Sequence, residues 1–152
     1  MSNIFEIGHI DRNAVNYLIR NHEGVEKDKA VKSGLGAAGN VFKVGGTSRL
    51  RQRMKTKQGI TGNLLRSFYV RVKKSKPGVL VGFKQGKAGG SHAHLIDRGT
   101  KERFWKTKKR KATGRVKATY FWSDTEAQDY PKALDKLYAG IEKAVNRINN
   151  RQ

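Results

Sequence analysis

The chain has 152 residues, no cysteine and a formal net charge of +21, a length that suits one domain with a modest core. Without cysteine, a disulfide framework and a cysteine-ligated metal site are excluded. No apolar run approaches the ~20 residues that span a bilayer, and Met1 to Glu6 lack the basic and apolar regions of a secretory signal. We therefore expect a single domain over residues 1–152, made in a host cytoplasm and without a membrane partner.

Two helices are predicted in the N-terminal part, residues 1–58. The first covers 11–22, where apolar side chains recur on one helical face. The second covers 28–44, with Asp28 as N-cap and apolar residues three to four apart, and its Gly34 would let a neighbouring element approach closely. Gly45-Gly46 is expected to end or kink this helix, and 47–63 is expected to be a loop with at most a short helical piece.

A small antiparallel sheet is predicted over residues 61–122. Residues 65–73 alternate in character, with Phe68, Val70 and Val72 on one face, and they form a hairpin with a second strand over 79–83. Residues 91–98 are expected to be a short helix or strand that Gly99 closes. A third strand is expected over 116–122.

The positive charge is concentrated in the centre of the chain. Residues 29–117 hold 25 Lys and Arg against two acids, Asp97 and Glu102, a net charge of +23. The remaining residues have eight basic and ten acidic side chains, a net charge of −2. Such a field repels itself in a compact domain, so we expect a polyanion or an acidic surface beside it, with nucleic acid as the first candidate.

The densest part of this charge is residues 101–117, with nine Lys or Arg and one acid. The segment has no periodicity, which predicts a long basic loop or an extended β-excursion. Phe104 and Trp105 within it could stack on the bases of single-stranded nucleic acid. The favoured alternative is that the rings dock the segment onto its own domain or a neighbouring subunit. The residues expected to face DNA or a partner are Lys106, Lys108, Lys109, Arg110, Lys111, Arg115 and Lys117.

A long amphipathic helix is predicted over residues 124–150. Ser123 to Glu126 fit a capping box, with Ser123 as N-cap. Pro131 is expected in the first turns, or as the boundary between a short lead-in helix and the main one. The apolar face has steps of three and four residues, which predicts burial of Leu137 and Ile141. The residues on that face are Tyr130, Leu134, Leu137, Ile141, Val145 and Ile148.

The sequence has little that favours catalysis. Asp97 and Glu102 are the only acids of the central segment, whereas a metal-dependent nuclease or hydrolase would need two or three clustered carboxylates. His92 and His94, with Asp97, form the only metal-like grouping, and chance explains such a pair better than a metal site does. No phosphate-binding loop and no helix-turn-helix, zinc-finger or RNA-binding signature is recognisable. We expect no enzyme, catalytic residue, metal or cofactor.

Two short motifs resemble one family of tailed-phage proteins. Residues 61–68, Thr-Gly-Asn-Leu-Leu-Arg-Ser-Phe, resemble the TGxLxxS entry into the first strand of neck and tail-completion proteins, which join head to tail. Residues 94–100, His-Leu-Ile-Asp-Arg-Gly-Thr, resemble that family's acidic-x-Gly-Thr element. The order of elements over residues 28–148 is also similar, although the family usually has Glu and an aromatic residue where this chain has Asp97-Arg98. The matching motif residues are Thr61, Gly62, Leu64, Ser67, Asp97, Gly99 and Thr100.

These motif residues have structural roles that follow from their chemistry. Leu64 is expected to be buried and Ser67 hydrogen-bonded where the first strand begins. Asp97 can accept hydrogen bonds from backbone amides, Gly99 can adopt a positive φ, and Thr100 can cap or start the next segment.

The expected fold is α+β, a small antiparallel sheet with N-terminal helices and a long C-terminal helix packed on it. The resemblance implies a structural virion protein, a subunit of a homo-oligomeric ring at the phage neck or tail top. Its implied partners are the adjacent head-connector and tail proteins, and DNA that passes through the lumen. The alternative is a separate nucleic-acid-binding protein without sequence preference, which uses residues 101–117.

Overall fold

The computed structural model describes residues 5–6, 24–54, 62–75, 78–86, 89–106 and 111–151. The predicted helix over 11–22 lies outside them. The helices are α1 (Val25–Arg53), α2 (Asn63–Ser67), α3 (Ala93–Arg98, preceded by a 3-10 turn, Gly90–His92) and α4 (Phe121–Asn149). The strands are β1 (Phe5–Glu6), β2 (Phe68–Val72), β3 (Val79–Phe83), β4 (Arg103–Phe104) and β5 (Ala112–Gly114).

The fold class is α+β, as predicted. The two long helices, α1 and α4, pack against each other, and β2 and β3 pack on α1. The described strands form a three-stranded antiparallel sheet in the order β1-β3-β2 and a separate two-stranded sheet, β4-β5. The sequence predicts the β2-β3 hairpin and contains no indication of β1.

The α1–α4 contact is closest where two glycines meet. A Cβ atom on Gly140 would lie 2.8 Å from the Cα of Gly34, and one on Gly34 would lie 2.6 Å from the carbonyl oxygen of Leu137. The prediction that Gly34 permits a close approach is therefore confirmed. Leu137 and Ile141 are buried beside this crossing, as the helical periodicity predicts.

The prediction that α1 ends at Gly45-Gly46 is wrong, because the helix continues to Arg53. The tertiary contact explains both the continuation and the glycines. A Cβ atom on Gly46 would lie 3.0 Å from the rings of Phe68 and Trp122, and one on Gly45 would overlap the carboxylate of Asp129. The packing of the helix outweighs the roughly 1 kcal/mol that each glycine costs.

Two arginines within the predicted loop 47–63 instead hold the last turns of α1 against α4. Arg49 forms an ion pair with Asp129 at 2.7 Å. Arg53 forms one with Asp124 at 2.6 Å. The prediction of a loop is wrong for residues 47–53, because a single-sequence pattern contains no signal for partners so distant along the chain.

The predicted main hairpin is present, and its first strand starts later than predicted. Residues 63–67 form the helical turn α2 rather than strand. The predicted apolar face is confirmed, since Phe68, Val70 and Val72 lie opposite Phe83, Val81 and Val79. Aromatic rings extend this face toward α4, with ring centroids of Phe68 and Phe83 4.4 Å apart and those of Phe83 and Trp122 5.3 Å apart.

The third strand predicted over 116–122 is wrong. Residues 115–120 have no regular structure and α4 begins at Phe121. Pro131 lies inside a continuous helix, neither in its first turns nor at a boundary. Both Pro131 and Ala127 are exposed, so water can hydrate the carbonyl that the missing N–H leaves without a helical donor.

Candidate nucleic-acid interface

Asp97 joins the acidic-x-Gly-Thr turn to the start of α4. This buried carboxylate accepts hydrogen bonds from the backbone N–H of Trp122 at 2.7 Å and of Ser123 at 3.1 Å, and from the Ser123 hydroxyl at 2.6 Å. The predicted acceptance of backbone amides is confirmed, and the donors belong to a helix 25 residues along the chain. The prediction that Ser123 is the N-cap is wrong, because Asp97 satisfies these amides and Tyr120 precedes the first helical residue.

Gly99 and Thr100 turn the chain away from this cap. Gly99 has the predicted positive φ, 74°, and a Cβ atom there would lie 2.8 Å from both the Ala118 nitrogen and the Val116 oxygen. The Thr100 N–H donates to the Val116 oxygen at 2.9 Å. The Val116 N–H donates to the Thr100 hydroxyl at 2.9 Å. Thr100 and Val116 thus clamp the two ends of the segment between them.

The TGxLxxS motif forms a helical turn beside this clamp. Gly62 has a left-handed conformation before α2, and Thr61 lies outside the described residues. Leu64 is buried and the Ser67 hydroxyl donates to its carbonyl at 2.6 Å, so the predicted burial and hydrogen bond are confirmed within a helix. A groove of about 420 Å³ separates the two motifs, and it is lined by Asn63, Leu64, Gly89, His92, Leu95, Ile96, Arg103 and Val116.

Beyond the clamp, the described residues 101–106 and 111–117 include an extended β-excursion, one of the two predicted forms. We call these described residues the basic arm. β4 and β5 pair antiparallel with an irregular register, and the Trp105 N–H donates to the Lys111 oxygen at 3.0 Å. Every side chain of 101–106 and 111–115 is exposed. The described arm is therefore a two-stranded ribbon with neither face covered by the domain.

The described cations of the arm lie on this uncovered ribbon. Six are exposed, and neither of the ion pairs that the structure describes includes one of them. They are Lys101, Arg103, Lys106, Lys111, Arg115 and Lys117. The other predicted contact residues, Lys108, Lys109 and Arg110, lie outside the described residues.

The two aromatic side chains of the arm do not dock onto their own domain. Phe104 is 56% exposed and Trp105 is 61% exposed. The predicted docking of these rings onto their own domain is therefore wrong. Contact of the rings with a neighbouring subunit or with a ligand stays a prediction.

The histidine pair does not assemble a metal site within the described chain. His92 and His94 are exposed at the start of α3, while both carboxylate oxygens of Asp97 face α4. Among the described residues, no group of three or more His, Cys, Asp or Glu could hold a metal ion. Likewise, none of the helices that the structure describes is long and apolar enough to cross a membrane.

Replacing Gly99 with valine should impair folding, because the positive φ and the contacts with Val116 and Ala118 both exclude a branched side chain. We expect a loss of stability of about 2 kcal/mol or more, measured by urea denaturation. Gly114 is a matched control, since it also has a positive φ, 86°, but no atom lies within 4 Å of a Cβ there. Equal losses in Gly99→Val and Gly114→Val would contradict the tight contact.

Glu126 makes stability depend on pH. Burial, and then the charge of Asp97, raise the pKa of Glu126 from 4.5 to about 7, while Arg98 opposes the shift. The folded chain therefore holds more protons than the unfolded chain between these values, so this contribution is present below pH 4.5 and is lost as the pH rises through about 7. Because the side chain is only half-buried, we expect a loss of about 1 kcal/mol.

Urea denaturation at about pH 5 and about pH 8 measures this effect. The wild-type chain should lose more stability across this interval than Glu126→Gln, in which position 126 does not titrate. The remaining titrating groups are the same in both chains, so the difference between the two pH profiles reports on position 126. Parallel pH profiles would contradict the raised pKa.

Comparisons with known proteins identify no relative of this chain. No protein-family model matches the chain, no curated protein matches it, and no solved structure matches it.

Proposed function

We propose that this chain is a structural subunit of a tailed phage, one copy of a ring at the neck or tail top around the DNA channel. The observation that carries the proposal is the meeting of the two motifs at the base of the basic arm. The Asp97–Thr100 turn both caps α4 and starts the arm. The groove beside α2 has Arg103 and Val116 of the arm in its wall. The segments that resemble the neck and tail-completion family thus support a projecting basic element.

The distribution of charge also favours an assembly. The ribbon has six exposed cations among its described residues and a single acid, Glu102. A like-charged projection of this kind is stabilised by a polyanion or an acidic protein surface beside it. Within a ring, such arms would face the DNA channel or an acidic neighbouring ring. Exposed Val44, Phe104, Trp105 and Tyr120 are apolar surface that contact with another subunit could cover.

A second candidate is a separate nucleic-acid-binding protein without sequence preference, favoured by the exposure of the arm alone. The genetic context separates the two candidates. Neighbouring genes for portal, capsid and tail-tube proteins support the ring subunit, whereas an isolated regulatory context supports the second candidate.

A deletion experiment tests the proposed function in the phage that encodes this chain. Loss of the gene should give DNA-filled heads and complete tails that do not join, as seen by electron microscopy. Complementation with the wild-type gene should restore joined particles, and labelled protein should lie at the neck. Normal joined particles without the chain would overturn the proposal.

A further inference from the structure

We propose that the basic arm binds duplex DNA by lying in the major groove, with phosphate contacts on both sides of the ribbon. This inference deepens the proposed function, because DNA is one of the partners of the proposed ring. Its test uses the purified chain and oligonucleotides, so it stands or fails separately from the role in a phage.

The shape of the arm suits the major groove. Two paired strands lie about 5 Å apart, and with side chains such a ribbon fits the major groove of B-form DNA, about 12 Å wide, but not the minor groove, about 6 Å wide. The clamp between Thr100 and Val116 holds the ribbon at its base. All described side chains from 101–106 and 111–115 are exposed, so the ribbon can enter a groove without first leaving a surface of its own domain.

The cations of the arm lie on both of its strands. Arg103 is in β4 and Lys106 follows it by two residues, while Lys111 and Arg115 flank β5. Phosphates line both walls of a DNA groove, so an inserted ribbon meets them on each side.

The chemistry of the described side chains predicts binding without sequence preference. Lys and Arg contact phosphates, and such contacts position a protein without reading bases. The described arm has no Asn or Gln for adenine. None of the hydrogen bonds described for it involves a Lys or Arg side chain, so nothing directs its cations at guanine edges. Affinity should therefore depend strongly on salt and weakly on sequence.

The first test compares duplex DNA with duplex RNA of the same length and sequence. The major groove of A-form RNA is deep and narrow and does not admit the ribbon, so the chain should bind duplex DNA at least tenfold more tightly at equal salt. Polyglutamate and single-stranded DNA are further probes at matched charge concentration. Equal affinity for both duplexes, or tighter binding to single-stranded DNA or polyglutamate, would overturn the proposal.

The second test assigns the binding to the arm. Lys106→Gln, Lys111→Gln and Arg115→Gln together should leave the fold intact. The salt slope of duplex binding should fall by about 0.9 for each phosphate that the variant no longer neutralises, or about 2 to 3 in all. The matched control replaces three exposed lysines of α4 with Gln: Lys132, Lys136 and Lys143. An equal fall in both variants would mean that net charge, and not the arm, determines binding.

Tryptophan fluorescence reports the position of the arm directly. The chain has two tryptophans, Trp105 and Trp122, and only Trp105 is exposed. Duplex DNA should protect Trp105 from quenching by acrylamide, and Trp105→Phe should abolish the change. A competitor that occupies the major groove, methyl green, should reverse the protection, whereas the minor-groove ligand netropsin should not. Reversal by netropsin alone, or no protection, would contradict the proposed docking.

Discussion

Replacing Asp97 with alanine should destabilise the protein by about 2–4 kcal/mol, because three donors at the start of α4 lose a buried charged acceptor. The effect should exceed that of an ordinary helix cap, since Asp97 also joins the arm-bearing turn to the long helix. Urea denaturation followed by circular dichroism measures it. Asp97→Asn, which keeps one acceptor oxygen, should be intermediate.

A second carboxylate in the first turn of the same helix is the matched control. Asp124 is half-buried and pairs with Arg53 at 2.6 Å. Such partly exposed pairs contribute about 0–1 kcal/mol, so Asp124→Ala should cost much less than Asp97→Ala. If the two variants lose equal stability, Asp97 is not the cap that the hydrogen bonds indicate.

Replacing Leu137 with alanine should cost about 2–5 kcal/mol, the usual range for a large-to-small change in a core. Leu137 is 1% exposed and lies at the crossing of α1 and α4, where Gly34 and Gly140 bring the backbones together. The surrounding backbone is therefore close-packed and can collapse only partly onto a cavity. The change in unfolding free energy, from urea denaturation, is the measurement.

A residue of the same helix at lower burial provides the comparison for this variant. Leu134 is half-buried, so Leu134→Ala should lose less stability than Leu137→Ala. A loss below about 0.5 kcal/mol in Leu137→Ala would mean that its face of α4 is not part of the core.

Local sequence patterns predict the helices and strands in which buried residues recur at a regular spacing. The apolar steps of α4 and the alternation of the β2-β3 hairpin need only neighbours along the chain, and both predictions are confirmed. The small residues of α1 also indicate a close helix contact, and Gly34 makes it. In each case one face of a single element determines the outcome.

The errors occur where distant residues decide the local structure. In the sequence, Gly45-Gly46 has the pattern of a helix end. In the structure, Trp122 and Asp129 of α4 lie against these two residues, and only glycine fits there. Ser123 to Glu126 satisfy the capping-box pattern, but the carboxylate of Asp97 reaches the same amides from another element. A single sequence contains each group but not the distance between them.

The sequence predicts which residues make up the candidate site, but it predicts only part of their structure. Charge density alone marks residues 101–117, and the structure gives the described part of this segment a paired ribbon with both faces exposed. Of the two predicted docking surfaces for Phe104 and Trp105, their own domain is wrong and a neighbouring subunit stays a prediction, because hydrophobicity predicts burial but does not say against which molecule.

Native mass spectrometry of the chain, alone and with the head-connector and tail proteins that the proposal names as its partners, tests the proposed ring most directly. The account predicts one closed oligomer of a single subunit number, formed by the chain alone or when its neighbour is added. A control variant has Gln in place of three lysines of α4, Lys132, Lys136 and Lys143. Its lower net charge tests whether assembly depends on net charge alone. A chain that stays monomeric at all concentrations and with both neighbours present would contradict the account.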